Sequence, residues 1–305
     1  MSTSEFNPTR RQTLYALFLM FISALAVAVM INSPKLAYQG GSNPATVVTI
    51  RAIIACLVLG SGILIKRGQF RLQGKPLLLG IGSGLSSAVM LYSSYTAILY
   101  IGVSLTILIV FLNPFLIALY YHFYGTTKLT LIRLLSALIA FGGLTLVLAI
   151  NFTNIDKTGL ALAFVGTVGS TVMVIFTTQL STSSGVLRAN FHMSFWSLMV
   201  FAVVLLVTND LQFPVTPLGW TGCILNGVTY AFAYLTFFAA AKIIGITRVV
   251  MISFTEPIAA IFLAAYLFGE HLTLMQWGGV ALVVAGLLIM ETPKDFFKRR
   301  KDKIA

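Results

Sequence analysis

The chain has 305 residues, of which 58% are hydrophobic and 9% charged, and its mean hydropathy is +0.95. Soluble domains carry about 25% charged residues, so a water-soluble globule is excluded and the bilayer is the expected solvent. The net charge of +12 would suit a nucleic-acid binder, but the basic residues sit in short segments between apolar runs, where they orient a membrane protein instead.

Runs of about 20 apolar residues, enough to cross a hydrocarbon core of about 30 Å, fall at 14–31, 45–65, 77–99, 103–123, 130–150, 159–179, 190–208, 218–241, 249–268 and 274–290. The first run follows Arg10-Arg11 and contains Ala24-Leu25-Ala26, as a secretory signal does. The triplet sits in the middle of the run, which continues to Ile31, so the run is expected to remain as a span. Arg51 falls several residues inside the second run, toward its outer end. Such an arginine either meets an anionic group or snorkels outward along its aliphatic stem. The stretch 77–123 has no charge and is too long for one span, so a turn is expected at Ile101-Gly102-Val103-Ser104. Tyr92 and Tyr95, one turn apart before it, either line a cavity or pack.

Pro114 lies about ten residues into the fourth run, directly after Asn113. An interior proline removes one backbone hydrogen bond, which in a bilayer is tolerated only where protein or cavity water replaces it. His122 stands at the end of that run and His192 at the start of the seventh, ordinary places for an interfacial histidine. In the eighth run Asn226, Tyr230, Tyr234 and Phe237 recur on one helical face, as a cavity lining or as packing. Its end, Ile244-Gly245-Ile246-Thr247, resembles the earlier glycine turn, and Glu256-Pro257 follows as Asn113-Pro114 did. Glu256 is the only acidic residue deep in a run. It serves either an ion or substrate path or a structural role, hydrogen-bonded beside the proline break. Asn113, Pro114, Glu256 and Pro257 are accordingly the candidate hinge or coupling residues.

The two halves are copies. A shift of 143 positions aligns 97–144 with 240–287 without gaps, at 11 identities over 48 positions. That identity is low, but the punctuation coincides: Gly102 on Gly245, Pro114 on Pro257, Leu129-Thr130-Leu131 on Leu272-Thr273-Leu274, and Gly143-Leu144 on Gly286-Leu287. Five spans per copy invert the second copy in the membrane, an architecture of secondary transporters. Of the 20 Lys and Arg residues, 17 fall on the side of the two termini, two on the other side (Lys35 and Lys157), and Arg51 inside a span. Both termini are therefore expected in the cytoplasm. The expected organisation is an all-α membrane protein of ten transmembrane helices in two inverted five-helix repeats. A cytoplasmic segment 1–12 precedes the repeats 13–150 and 159–290, and a basic tail 291–305 follows.

Enzymatic readings find little support. Cys56 and Cys223 lie in apolar runs without metal-ligand spacing, and no glycine-rich phosphate loop, HExxH or carboxylate pair stands in the sequence. No metal or other cofactor is expected, and an intramembrane enzyme would rest on Glu256 almost alone.

The second half reads Phe254-Thr255-Glu256-Pro257, then Phe268-Gly269-Glu270, Leu272-Thr273, Gln276-Trp277-Gly278 and Ala285-Gly286. This resembles the EamA-type domain of the drug/metabolite transporter superfamily. The first half is similar, with Asn113-Pro114 for Glu-Pro and Gly125-Thr126 for Gly-Glu. The resemblance implies a pseudo-two-fold ten-helix bundle in the bacterial inner membrane, with a central cavity from spans one, three, four, six, eight and nine. It implies a secondary transporter exporting amino acids or similar small metabolites, or an importer of a metabolite or vitamin. The expected cavity residues are Arg51, Tyr92, Tyr95, Asn226, Tyr230, Tyr234 and Phe237. The expected partners are a small-molecule solute and the lipid bilayer, a homodimer being compatible with both.

Overall fold

The computed structural model describes residues 8–124, 129–149, 155–209, 211–268 and 272–291. Within them eleven helices follow one another: α1 (Arg10–Gln39), α2 (Pro44–Ile65), α3 (Lys75–Val110), α4 (Asn113–Phe123), α5 (Leu131–Val147), α6 (Lys157–Ser184), α7 (Val186–Thr208), α8 (Pro217–Ile244), α9 (Ile246–Ile252), α10 (Thr255–Phe268) and α11 (Leu274–Glu291). Their starts are written locally. Asn43, Asp156 and Thr216 each accept a hydrogen bond from a backbone N–H of the first turn, which satisfies a donor the helix itself cannot.

Helix count and span count differ because two spans are broken and one helix holds two spans. Gly102, with φ 75° and ψ 169°, turns the chain inside α3, so Lys75–Gly102 and Ser104–Phe123 are separate apolar segments. Gly245, at φ 84° and ψ 145°, makes the equivalent turn between α8 and α9. Side chains are strained in this region and glycine is not, which explains why both repeats keep glycine there. The expected turns at 101–104 and 244–247 thus lie where the sequence places them. Among the described residues eight segments are long and apolar enough to cross a membrane, and the shorter apolar helices Leu131–Val147 and Leu274–Ile289 complete ten.

The packing is symmetric on exchange of the halves. The most extensive interfaces are α3 on α6 and α1 on α8, the third span of one copy against the first of the other. α2 packs on α7, and α5 on α11. Single contacts repeat this symmetry. A Cβ on Gly143 would stand 2.7 Å from the Gly279 carbonyl oxygen, and one on Gly286 would stand 2.7 Å from that of Ser136. Gly143 and Gly286 are equivalent at the offset of 143, as are Ser136 and Gly279, so each contact is the image of the other. Small residues let helix backbones approach where lipid supplies no hydrophobic drive. A Cβ on Gly142 or Gly278, by contrast, would meet nothing within 4 Å.

One span is longer than its apolar run. α1 continues through Asn32-Ser33-Pro34 to Gln39 although the run ends at Ile31. Pro34 lacks the N–H that would reach the Met30 carbonyl. The Asn226 side chain of α8 supplies the replacement, its Nδ2 donating to Met30 O at 2.7 Å. Asn32 holds the next part of the helix, donating to the carbonyls of Ala28 at 2.9 Å and Ala260 at 3.0 Å. The proline is accommodated by neighbouring helices, as membrane-embedded prolines must be.

Candidate functional site

Six helices from both halves bring polar groups together at membrane depth. Arg51 of α2 is 3% exposed, and its Cζ stands 4.6 Å from the centre of the Tyr230 ring on α8. The outward-snorkelling arrangement is therefore not adopted. Tyr230 packs at 4.8 Å on Tyr234, one turn along, and Tyr234 stacks on Phe238 at 6.1 Å. Tyr38 of α1 lies within electrostatic reach of Arg51 and of Tyr95 on α3, and Tyr234 within reach of Arg51, Tyr95 and Glu256. The Ser87 and Ser194 hydroxyls, from α3 and α7, face that of Tyr230 without meeting hydrogen-bond geometry. On α8 the outward stripe is Thr221, Leu225 and Phe232, roughly opposite Tyr230 and Tyr234 at 100° per residue. The partly exposed surface of Tyr234, like that of Tyr95 and Glu256, therefore belongs to the interior of the bundle.

The charges in this cluster are unbalanced. Among the described residues no carboxylate or carbonyl forms an ion pair or hydrogen bond with Arg51, whose one close partner is the Tyr230 face. Such a cation–π contact contributes about 2 kcal/mol when desolvated. Removing a guanidinium from water costs several kcal/mol even after relaxation, so the ring alone does not offset the burial. Glu256 likewise makes no side-chain hydrogen bond among the described residues. Glu256 lies within electrostatic reach of Tyr234.

The paired breaks meet near the molecular axis. The helical hydrogen-bond ladder is interrupted at Phe111-Leu112 and at Ser253-Phe254, although Leu112 and Ser253 keep right-handed helical dihedrals. Phe111 and Phe254 are equivalent in the repeat and their rings touch at 5.9 Å. Equivalent residues in contact lie next to the pseudo-two-fold axis, so both breaks flank it. Pro114 and Pro257 are buried, and each occupies the first turn of a new helix, α4 and α10. First-turn N–H groups have no intrahelical partner, so the prolines start helices here rather than damaging continuous ones. The Ser253 carbonyl, four residues before Pro257, accepts Glu256 N–H at 2.9 Å. Ile109 O accepts the Thr167 hydroxyl of α6 at 2.9 Å. Asn113 Nδ2 donates to Ser170 Oγ at 2.6 Å, tying the first break to α6. Glu256 makes no such side-chain hydrogen bond among the described residues.

The expected lining residues thus separate. Arg51, Tyr95, Tyr230 and Tyr234 converge, with Glu256 beside them. Phe237 is 9% exposed and packs in the core at 5.1 Å from Phe238. Asn226 is fully buried between α8 and α1, its Nδ2 donating to Met30 O and Ser33 Oγ while its Oδ1 finds no partner among the described residues. It supports a proline rather than lining the cluster. Tyr92 is 61% exposed on the outer stripe of α3 with Leu85, Val89 and Leu99, because one residue in three or four along the helix faces outward there. Tyr38, Ser87 and Ser194 were not singled out by the sequence. Tyr38 lies beyond the end of the first apolar run, and serines on glycine-rich α3 read as close packing. His192 Nε2–H donates to Phe70 O at 2.7 Å, and His122 Nδ1 accepts the Leu129 N–H at 3.2 Å; neither joins the cluster. No group of three or more His, Cys, Asp or Glu side chains suited to a metal occurs among the described residues.

Comparison with known proteins agrees with this architecture. The model of the EamA-like transporter family matches twice, over residues 14–149 and 157–292. A solved structure described as "Crystal structure of protein" superposes with a TM-score of 0.76 at 15% identity, covering 90% of this chain and 96% of that one. At that identity the likeness shows the fold alone. No curated protein matches at a significant level.

Proposed function

The chain belongs to the EamA-like transporter family, within the drug/metabolite transporter superfamily, and from that premise we propose that it is a secondary transporter exporting amino acids or similar small metabolites by alternating access. The observation that carries this reading is the cluster of Arg51, Tyr95, Tyr230, Tyr234 and Glu256. It joins helices of both repeats and holds two ionisable side chains without counter-ions among the described residues. Ionisable groups at membrane depth are costly and mark solute or ion paths. A solute seated there would be handled by both halves at once, as inverted-repeat transport requires.

The broken helices supply the moving parts. With α4 and α10 starting afresh beside the axis, each can tilt without breaking a continuous ladder of hydrogen bonds. Motion about the Phe111–Phe254 contact would open the cluster to one side and close it to the other. Glu256, free of structural hydrogen bonds among the described residues, is the group available to couple that motion to a proton. The split of basic residues, 17 against two, supports placement in the bacterial cytoplasmic membrane with both termini inside.

The test is flux. Purified protein in proteoliposomes, offered a panel of labelled amino acids and related metabolites, should move at least one solute down its gradient or against it when a pH gradient is imposed. Flux equal to that of empty liposomes for the whole panel would refute the reading.

A further inference from the structure

Arg51 defines what the site recognises. Its guanidinium is planar, carries five N–H donors and stays charged at any physiological pH. The side chain is 3% exposed, yet its one close partner is an aromatic face, Tyr230 at 4.6 Å. The ring stands over Cζ, and no acceptor among the described residues takes a hydrogen bond from the guanidinium N–H groups. Ser87 and Ser194 add two buried hydroxyls without hydrogen-bond partners beside the Tyr230 hydroxyl. Three independent observations coincide: a buried unpaired cation, idle donors and acceptors around it, and an aromatic array leading away from it through Tyr234.

The geometry points to Arg51 as the receptor of a single carboxylate, belonging to a small organic acid whose aromatic or apolar body lies along Tyr230 and Tyr234. A carboxylate matches the guanidinium fork with two parallel hydrogen bonds and neutralises one charge with one. A phosphate monoester carries up to two negative charges and would leave the excess buried, since no second cation joins the cluster among the described residues. Amphipathic acids also suit the wall: Tyr234, partly exposed and packed at 4.8 Å and a tilt of 54° on Tyr230, offers aromatic surface next to the guanidinium. The inference rests on the transport reading for its biological meaning, but the binding it describes is measurable without transport.

Calorimetry and thermal unfolding of the full chain in detergent micelles test it. The probes are phenylacetate and indole-3-acetate, their neutral amides, phenethylamine and phenyl phosphate. The acids should bind at least about ten-fold more tightly than their amides, the least that charged hydrogen bonds ordinarily contribute, and phenyl phosphate and phenethylamine should bind no better than the amides. In Arg51→Gln the acid–amide ratio should fall to within about two-fold, and Arg51→Lys should keep part of it, having the charge without the fork. Because Arg51→Gln removes an unpaired buried charge, its unliganded melting temperature should not drop. Should that variant fail to fold, the wild-type acid–amide ratio and Arg51→Lys decide alone. Equal binding of acids and amides, no binding of either acid, tighter binding of phenyl phosphate, or an unchanged ratio in a folded Arg51→Gln overturns the inference. Flux separates the two levels. Acids that bind but never move would refute transport and leave the carboxylate site standing, whereas transport confined to neutral or cationic solutes would do the reverse.

Discussion

Adding one methyl group to either of two adjacent glycines of α5 should have opposite consequences. A Cβ on Gly143 would stand 2.7 Å from both the Gly279 oxygen and the Val283 nitrogen, whereas one on Gly142 meets nothing within 4 Å. Ordinary Cβ contacts begin near 3.4 Å, so α11 must withdraw by about 0.3 to 0.7 Å. Both obstacles are backbone and cannot rotate aside. A gap of that size forfeits about a quarter of the dispersion energy of each contact it opens, and overpacking of this kind costs about 1–3 kcal/mol. Both alanines gain the same helix propensity, about 0.8–1 kcal/mol over glycine. The difference between Gly143→Ala and Gly142→Ala therefore isolates the overpacking, with Gly142→Ala neutral or more stable. Gly279→Ala against Gly278→Ala repeats the test on α11, where a Cβ on Gly279 would meet Gly143 O at 2.6 Å. The double variant Gly143→Ala/Gly279→Ala should cost less than the sum, because one separation relieves both clashes. Equilibrium unfolding by SDS in mixed micelles measures all five. Equal midpoints for the Gly142 and Gly143 variants would refute the close approach of α5 and α11.

Three further outcomes follow from other parts of the molecule. Gly245→Ala should lower stability by about 1–2 kcal/mol through backbone strain alone, since φ is 84° and a Cβ there meets nothing within 4 Å; an unchanged unfolding midpoint would contradict that turn. In a chain carrying Cys56→Ala and Cys223→Ala, Val215→Cys, at an 86% exposed position, should react with an impermeant thiol reagent added outside cells. Gln73→Cys should react only after the membrane is opened, and the reverse pattern would invert the topology. (Asn154, Asp210 and Lys298, equally apt for such labelling by sequence, lie outside the described residues.) Glu256→Gln removes no side-chain hydrogen bond among the described residues and should fold as the parent does while losing the pH dependence of transport; Asn113→Ala loses its 2.6 Å bond to Ser170 and should cost about 1–3 kcal/mol by unfolding. A destabilised Glu256→Gln with its pH response intact would return Glu256 to a structural role.

Much of the architecture was legible because hydrophobic length and glycine-proline punctuation are local signals. The turns at Gly102 and Gly245, the breaks beside Pro114 and Pro257 and the duplication could be read from spacing alone. What could not be read depends on contacts between distant segments. Nothing local says that Asn226 caps the carbonyl left free by Pro34, 192 positions earlier, so its polarity suggested a cavity. Tyr92 and Tyr95 differ by less than one turn, and only the packing of α3 on α6 decides which faces outward. Arg51 offered two readings because its depth in the run was visible but its rotation was not. Paired breaks were visible as two motifs; that Phe111 and Phe254 touch across the axis required the fold.

The most direct test of alternating access is the reach of one buried position from both sides. In the chain carrying Cys56→Ala and Cys223→Ala, Tyr234→Cys should be modified by an impermeant thiol reagent from the outside in right-side-out vesicles and from the inside in inverted ones. A transported solute should slow both reactions. Modification from one side only, under every condition of solute and pH, would contradict a site that opens alternately to the two faces.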